Sequence, residues 1–348
     1  MTNKSDFKMR FPAEWEPQQA VMLAWPHELT DWNYMLDEVR KCYSEIAHAI
    51  VRHARLIVVA PDCTAAREAL ADIAQDRITY VEIDTNDTWA RDFGAITTFD
   101  NEGMPVVNDF AFNGWGLKFA ANLDNLVTQR MAERGLFAGR YNNRLGFVLE
   151  GGSIESDGRG TLLTTSECLL SPNRNGDLSR PQIEAHLKEY FGADRVLWID
   201  AGALEGDDTD SHIDTLARLA PYDTIYYVGC DDTSDSHYKV LKAMEEQILS
   251  FRRPDGLPYN AVALPLPDPI FDEDGMRLPA TYANFLILND AVLLPVYNQP
   301  KKDFLAAQML KIAFPDHEII SIDCRALIRQ HGSLHCVTMQ FPENTIKQ

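Results

Sequence analysis

The strongest constraint on this chain is a recurring order of segments, in which an amphipathic helix is followed at once by a short apolar strand. Residues 31–53 carry Tyr34, Leu36, Val39, Tyr43, Ile46 and Ile50 at helical spacing, and residues 55–60 follow as a continuous apolar run. The same order returns three times. Residues 63–75 precede 78–84, 179–191 precede 195–200, and 302–313 precede 318–323. Hairpins interrupt this rhythm. Residues 147–165 turn at Asp157-Gly158, and residues 284–297 turn at Asn289-Asp290 between two apolar runs. The fold class is α/β, with more hairpins than a plain doubly wound sheet would show.

The strand ends also resemble one another. Val81-Glu82-Ile83-Asp84, Leu197-Trp198-Ile199-Asp200 and Ile320-Ser321-Ile322-Asp323 close on aspartates 116 and 123 residues apart. If each interval spans two units, the period is roughly 60 residues and the chain holds about five units. Reactive residue types follow each of these strands: Asp92 after Asp84, His212 after Asp200 and Cys336 after Asp323. Equivalent loops of a closed array would converge on one mouth. No linker-like or low-complexity tract divides the sequence, so residues 1–348 read as one domain.

Composition narrows the partners. A net charge of -20 repels nucleic acid and anionic membranes, and it attracts small cations. The six cysteines at 42, 63, 168, 230, 324 and 336 show no C-x-x-C spacing, which predicts free thiols in a reducing compartment. No stretch has the length and apolarity of an export signal or a membrane span, so a cytoplasmic location is expected. The sequence leaves assembly into a homo-oligomer open.

Four short segments carry the candidate chemistry. Cys336 lies in Gly332-Ser333-Leu334-His335-Cys336-Val337-Thr338, a small-residue turn entering a β-like run. By itself such a cysteine is as well explained as a small core residue. Its neighbour His335 would point to the opposite face of a strand, so a partner for the thiol should come from elsewhere. His212 is the leading candidate, in a turn-forming acidic stretch followed by a strand or short helix; on a strand both side chains of His212-x-Asp214 would face the same way, setting a proton shuttle beside a carboxylate. A metal pair and a structural histidine are the rival readings, and metal lacks a second histidine at ligand spacing. Trp89-Ala90-Arg91-Asp92-Phe93-Gly94 can be a binding loop, or a buried Arg91-Asp92 contact with Trp89 as packing. Glu150-Gly151-Gly152 places a carboxylate beside glycines that permit close backbone approach, although Glu150 could simply be exposed.

Together these segments hold one thiol, one imidazole and three carboxylates, a set suited to a guanidinium. The cation is planar, so carboxylates at its edge can orient it through paired charge-assisted hydrogen bonds. Its central carbon is then open to a thiolate from one face.

These residues resemble a known family, the agmatine deiminases and bacterial (Porphyromonas-type) peptidylarginine deiminases of the guanidine-modifying superfamily. The similarity runs through nearly the whole chain. It begins with Met9-Arg10-Phe11-Pro12-Ala13-Glu14-Trp15-Glu16-Pro17 and the Trp89-x-Arg91-Asp92-x-Gly94 loop. It continues through Glu150-Gly151-Gly152-Ser153, Thr164-Thr165-Ser166-Glu167-Cys168-Leu169-Leu170 and Pro172-Asn173-Arg174-Asn175. It ends with Gly206-Asp207, His212-x-Asp214 and His335-Cys336. The resemblance implies a five-bladed α/β propeller (pentein) of pseudo-fivefold symmetry with the site on its axis. It further implies Cys336 as nucleophile, His212 as general acid and base, and Glu150 as the carboxylate orienting His212. Asp92 and Asp214 would clamp the guanidinium, Trp89 would wall the pocket, and no metal or organic cofactor would be needed. Ala95 and the run Gln330-His331-Gly332-Ser333 depart from the usual pattern, both near the expected mouth.

Within that family the expected substrate is agmatine, whose far cation Asp207, Asp208 or Asp210 could select. Deimination of peptidyl arginine is the alternative, and a catalytically dead propeller serving as a binding module is a more distant one. The presence of both Cys336 and His212 speaks against the last.

Overall fold

The computed structural model describes residues 9–347. Residues 1–8, part of the segment expected to lack an export signal, lie outside the described residues. The strands form five small sheets. The first contains β1 (Gln18–Ala24), β2 (Arg55–Ala60) and β3 (Ile78–Glu82). The second contains β4 (Ile96–Phe99), β5 (Pro105–Ala111) and β6 (Arg140–Val148), and the third β7 (Ile154–Ser156), β8 (Thr161–Thr165) and β9 (Arg195–Ile199). The fourth contains β10 (Ala217–Ala220), β11 (Thr224–Gly229) and β12 (Asn260–Pro265), and the fifth β13 (Leu286–Leu288), β14 (Ala291–Val296) and β15 (Glu318–Asp323). The last strand, β16 (Thr338–Pro342), returns to the first sheet beside β1.

One pattern runs through all five. A strand pairs antiparallel with the second, and the second pairs parallel with the third, as in β4-β5-β6 and β10-β11-β12. In the first sheet β16 supplies the antiparallel partner of β1, and β3 is added parallel to β2. Parallel neighbours need a crossover, and a helix supplies it each time. Between β2 and β3 it is the short helix Thr64–Ala69, and in the other five pairs it is α1 (Leu36–His53), α2 (Val127–Glu133), α3 (Arg180–Phe191), α4 (Tyr238–Ser250) or α5 (Pro300–Leu310). The middle strands are covered on both faces, which explains unbroken apolar runs such as Leu56-Ile57-Val58-Val59 in β2. One contiguous set of buried side chains includes Val58, Val107, Leu163, Ile225 and Leu293, one from each sheet.

The similar strand ends are explained by this order. β3, β9 and β15 are the outer strands of the first, third and fifth sheets, so each interval between them spans two units. The helix expected over 63–75 is shorter, Thr64–Ala69. Gln75 Nε2 donates to the carbonyls of Leu70 and Ile73, closing the chain with a side chain where more helix was expected. The hairpin expected over 147–165 occupies only β7 and β8, because residues up to Val148 belong to β6. The Asn289-Asp290 turn joins Leu288 to Ala291 as expected. Asn289 adopts φ 51 and bonds Gln18 and the His53 carbonyl, tying the fifth sheet to the first.

Helix α3 shows how local sequence sets an element. Ser179 precedes it with its N–H bonded to Gln182 Oε1 at 2.9 Å, and proline follows in the first turn, where no donor is missed. Ile183, Leu187 and Phe191 recur on one face and are buried. Gly192 ends the helix at φ 65, and a Cβ there would lie 1.5 Å from the Met9 carbonyl oxygen. A Gly192→Ala protein should therefore lose roughly 1–3 kcal/mol of stability and melt several degrees lower. An unchanged melting temperature by calorimetry would contradict this account.

The connections between sheets position the site. After the outer strand of one sheet the chain makes a short turn before the first strand of the next. These turns are Ala90–Phe93, Gly151–Ser153, Ile213–Leu216 and residues 281–284 and 334–337.

Candidate active site

All five turns deliver polar groups to one buried place. Asp92, in the first, accepts from Trp115 Nε1 at 2.9 Å and from the Gly152 N–H, in the second, at 3.1 Å. Burial pushes its carboxyl up to about 6, against the lowering charge of His212, with Asp214 and Glu150 adding to the rise. Trp115 reaches it from a loop with φ 55 at the tryptophan itself.

His212 stands immediately before the third of these turns, the single helical turn Ile213–Leu216. The alternation of a strand therefore does not apply to His212-x-Asp214, yet the two still converge. A Cβ on Gly152 would fall 2.7 Å from His212 Nδ1, 2.9 Å from Asp92 Oδ1 and 3.1 Å from Asp214 Oδ2. Only glycine leaves that space free. His212 Nδ1 lies 3.7 Å from Asp92 Oδ1. Burial opposes protonation of the ring, but Asp92, the Cys168 thiol and Glu150 outweigh it and hold the pKa well above its ordinary value. These neighbours favour the imidazolium form of His212.

The backbone entering His212 is strained. Asp210 and Ser211 both have left-handed φ, 63 and 60, which non-glycine residues adopt at a cost. Side chains hold them there. Asp210 accepts from Arg174 Nη1 at 2.5 Å and Lys118 Nζ at 2.6 Å, and the Ser211 N–H donates to Asp207 Oδ2 at 2.7 Å.

Cys336 lies in the 334–337 turn, two residues before β16. Its Sγ is 3.3 Å from Asn284 Nδ2 and 3.8 Å from Asp214 Oδ2. Burial, then the charges of Asp214 and Asp92, push the thiol well above its ordinary value. His335 lies in a turn where a strand residue was expected. Its Nδ1 lies 2.7 Å from Asp214 Oδ2 and its Nε2 2.8 Å from Glu14 Oε2. The imidazole is engaged with carboxylates on both nitrogens.

Glu150 is fully buried, with its carboxylate held by Arg174 Nε at 2.8 and 3.1 Å. Ligand atoms of Glu150, Cys168 and His212 lie within 4.8 Å of one another, but Glu150 makes its hydrogen bonds to Arg174. Arg91 does not pair with Asp92. Its Nε donates to the His335 carbonyl, which sets aside the buried Arg91-Asp92 contact. Two groups of side chains have metal-ligand types in reach, Glu150-Cys168-His212 and Glu14-Glu155-His335. Arg174 already occupies the first, and Arg218 pairs with both glutamates of the second, so a metal cation would meet a guanidinium in either.

Above the thiol is a cavity of about 330 Å³. Trp89, Trp115 and Phe119 wall it, Asp31, Asp87 and Asp208 line it, and no lysine or arginine among the described residues does. Burial, reinforced by Asp31, pushes Asp87 up to about 7; burial raises Asp208 to about 6. Trp89 packs so closely on Gly332 that a Cβ there would lie 2.1 Å from its ring. Of the three aspartates expected to select a cation, only Asp208 lines the cavity. Asp207 and Asp210 brace the loop before His212. Of the two departures noted in the sequence, Gln330, His331 and Gly332 line the cavity and Ala95 does not.

Sequence reasoning missed Asn284, Arg174 and Trp115. Asn284 sits in the one inter-sheet turn that had no reactive-looking residue, so the repeat alone could have pointed to it. Arg174 stood in a quoted motif without a role. Nothing local marked Trp115.

The family described as Porphyromonas-type peptidyl-arginine deiminase matches residues 10–342. A Marinomonas sp. (strain MWYL1) protein assigned as an agmatine deiminase is 34% identical over 357 residues, covering 96% of this chain and 94% of its own. A Porphyromonas gingivalis structure assigned as an arginine deiminase is 54% identical with a TM-score of 0.93, covering 98% of this chain and 100% of its own. The structure of a C. jejuni agmatine deiminase variant with substrate bound is 39% identical with a TM-score of 0.89, covering 98% of each chain.

The short bond from Trp115 to Asp92 gives a direct probe of the site. As pH rises through about 6 and the carboxyl ionises, the Trp115 indole N–H resonance should move downfield. An Asp92→Asn protein should lose that step. A resonance that does not move between about pH 4.5 and 8 would contradict the assignment.

Proposed function

The chain belongs to the Porphyromonas-type peptidyl-arginine deiminase family, and from that premise we propose that it is an agmatine deiminase. It is a hydrolase acting on amidine carbon–nitrogen bonds, and its reaction converts agmatine and water to N-carbamoylputrescine and ammonia. The observation that carries this reading is the cavity. The Cys336 thiol and the Asp92 carboxyl line it, with His212 and Asp214 packed close behind them, while Asp31, Asp87 and Asp208 add three more carboxyls and no lysine or arginine among the described residues lines it. Agmatine has a guanidinium at one end, an ammonium at the other and no carboxylate. The α-carboxylate of free arginine would instead face Asp31, Asp87 and Asp208. The five sheets are taken as five blades of one catalytic propeller domain, with the inter-sheet turns at its axis.

The mechanism follows from the charges. Asp92 and Asp214 take the guanidinium edge through charge-assisted hydrogen bonds, with Trp89 as a wall. The arriving cation and the His212 imidazolium offset the burial and anionic surroundings that raise the Cys336 thiol, so when substrate is bound the thiol releases its proton to solvent and becomes a thiolate. Sγ attacks the guanidinium carbon, and His212 gives its proton to the departing nitrogen, which leaves as ammonia. Water, losing a proton to the now neutral imidazole, adds to the amidino-thioether. Collapse breaks the carbon–sulfur bond, releases the ureido product and returns the proton to sulfur. Glu150, fixed by Arg174, biases His212 toward its charged form.

A cytoplasmic setting suits a small-metabolite enzyme with six unpaired buried cysteines. No described helix is long and apolar enough to cross a membrane. The net charge of -20 disfavours polyanionic partners.

Purified protein given agmatine, free arginine or a blocked arginine peptide should favour agmatine in kcat/KM by about 100-fold or more. Turnover of the peptide in its place would move the reading to protein-arginine deimination, and turnover of none would sink it. Cys336→Ser should lower kcat by at least about 10³-fold. Asp208→Asn should raise KM for agmatine by roughly tenfold with a smaller change in kcat.

A further inference from the structure

The reaction as described uses Asp214 and gives His335 no part, although that imidazole is buried between two carboxylates. Its Nδ1 lies 2.7 Å from Asp214 Oδ2, and its Nε2 lies 2.8 Å from Glu14 Oε2 and 3.1 Å from Arg218 Nη2. An ionised carboxylate only accepts, so Nδ1 carries a hydrogen whichever form the ring takes. When Nε2 is bare, Arg218 can donate to it. When it is protonated, Glu14 can accept from it. The backbone is pinned as well, since the His335 N–H donates to Asn284 Oδ1 at 2.8 Å. Glu14 is held in turn by Arg218 Nη2 at 2.9 Å and by the Ile287 N–H at 2.7 Å.

We propose that His335 is a positioning residue for the deimination, fixing Asp214 through its Nδ1–H so that the clamp meets the guanidinium in one orientation, with Glu14 fixing His335. Asp214 Oδ2 lies 3.8 Å from the thiol, while Oδ1 is buried with no hydrogen-bond partner among the described residues. A carboxylate held at one oxygen leaves the other free to accept from a bound cation. Without that hold it could rotate, and small misplacements of a positioning group are expensive.

The inference rests on the guanidinium reading above, and it adds a consequence in pH. Asp214 is faced by His335, His212, Arg218, Arg91, Asp92 and Cys336. Burial would raise its carboxyl, but the His335 hydrogen bond and the charges of His335, His212 and Arg218 hold it below the ordinary value. A carboxyl depressed in this way stays ionised as pH falls. Loss of the Nδ1–H lets it take up a proton at higher pH, and guanidinium binding then fails at higher pH too.

Two substitutions of similar size separate position from packing. His335→Asn places its amide nitrogen near the Nδ1 position, and His335→Gln places it near Nε2. The expected result is that His335→Gln raises KM for agmatine about tenfold or more, with a smaller fall in kcat. It should also move the acidic limb of kcat/KM to higher pH and steepen it, while His335→Asn stays nearer the unmodified protein on both measures. Equal losses in the two variants, or a larger loss in His335→Asn, would overturn the proposal. If His335→Gln fails to fold by circular dichroism, Glu14→Gln should show a weaker rise in KM and a smaller shift of the limb. No change in either would equally count against it. Calorimetry of methylguanidine binding to Cys336→Ala proteins with His, Asn or Gln at 335 reads the clamp without turnover. An Asn–Gln contrast in binding without any agmatine turnover would remove the substrate reading and keep the positioning role. Turnover of agmatine without that contrast would do the reverse.

Discussion

Arg218 is fully buried, and much of the centre of this protein is arranged around it. Its guanidinium donates to Glu155 of β7, to Glu14 of the N-terminal segment and to the carbonyls of Ala283 and Phe285 ahead of β13. It also reaches His335 beside Cys336. A buried charge is tolerable only when every partner is in place, and removing one member of such a network typically costs about 3–5 kcal/mol. The partners come from separate sheets. The network therefore couples correct docking of those sheets to burial of the charge, and it holds Glu14, His335 and Asp214 in line toward the thiol.

The same burial sets the reactivity. Low-dielectric surroundings push Asp92 and the Cys336 thiol toward their neutral forms, while neighbouring carboxylates and the Cys168 thiol favour the charged form of His212. Arg174 serves the other side of the site. It holds Glu150 and braces the left-handed Asp210 that leads into His212, so strain in the loop is offset by a buried ion pair.

Much of the fold was legible because it depends on local pattern. Helical spacing in 31–53, the apolar run at 55–60 and the Asn289-Asp290 turn reflect forces acting within a few residues. The faint likeness of three strand ends was a true trace of repetition, since those strands occupy the outer edges of alternate sheets. Where the pattern misled, a specific contact had replaced a general tendency. Gln75 closes the chain after Thr64–Ala69, and of the strand or short helix left open after the acidic stretch the helical turn is the one that carries Asp214.

Residue types and their order were enough to single out Cys336, His212, Glu150, Asp92, Asp214 and Trp89, and to suggest that a guanidinium is the group they suit. They also showed that His335 would not be the partner of the adjacent thiol. Which groups touch was decided only by the tertiary structure. It placed Asn284 against Cys336, gave Glu150 to Arg174, and set His335 between Asp214 and Glu14. The reason is physical. Periodicity and turn chemistry act over a few residues, whereas a pKa or a short hydrogen bond depends on distances between turns that lie scores of residues apart and meet only when the five sheets are assembled.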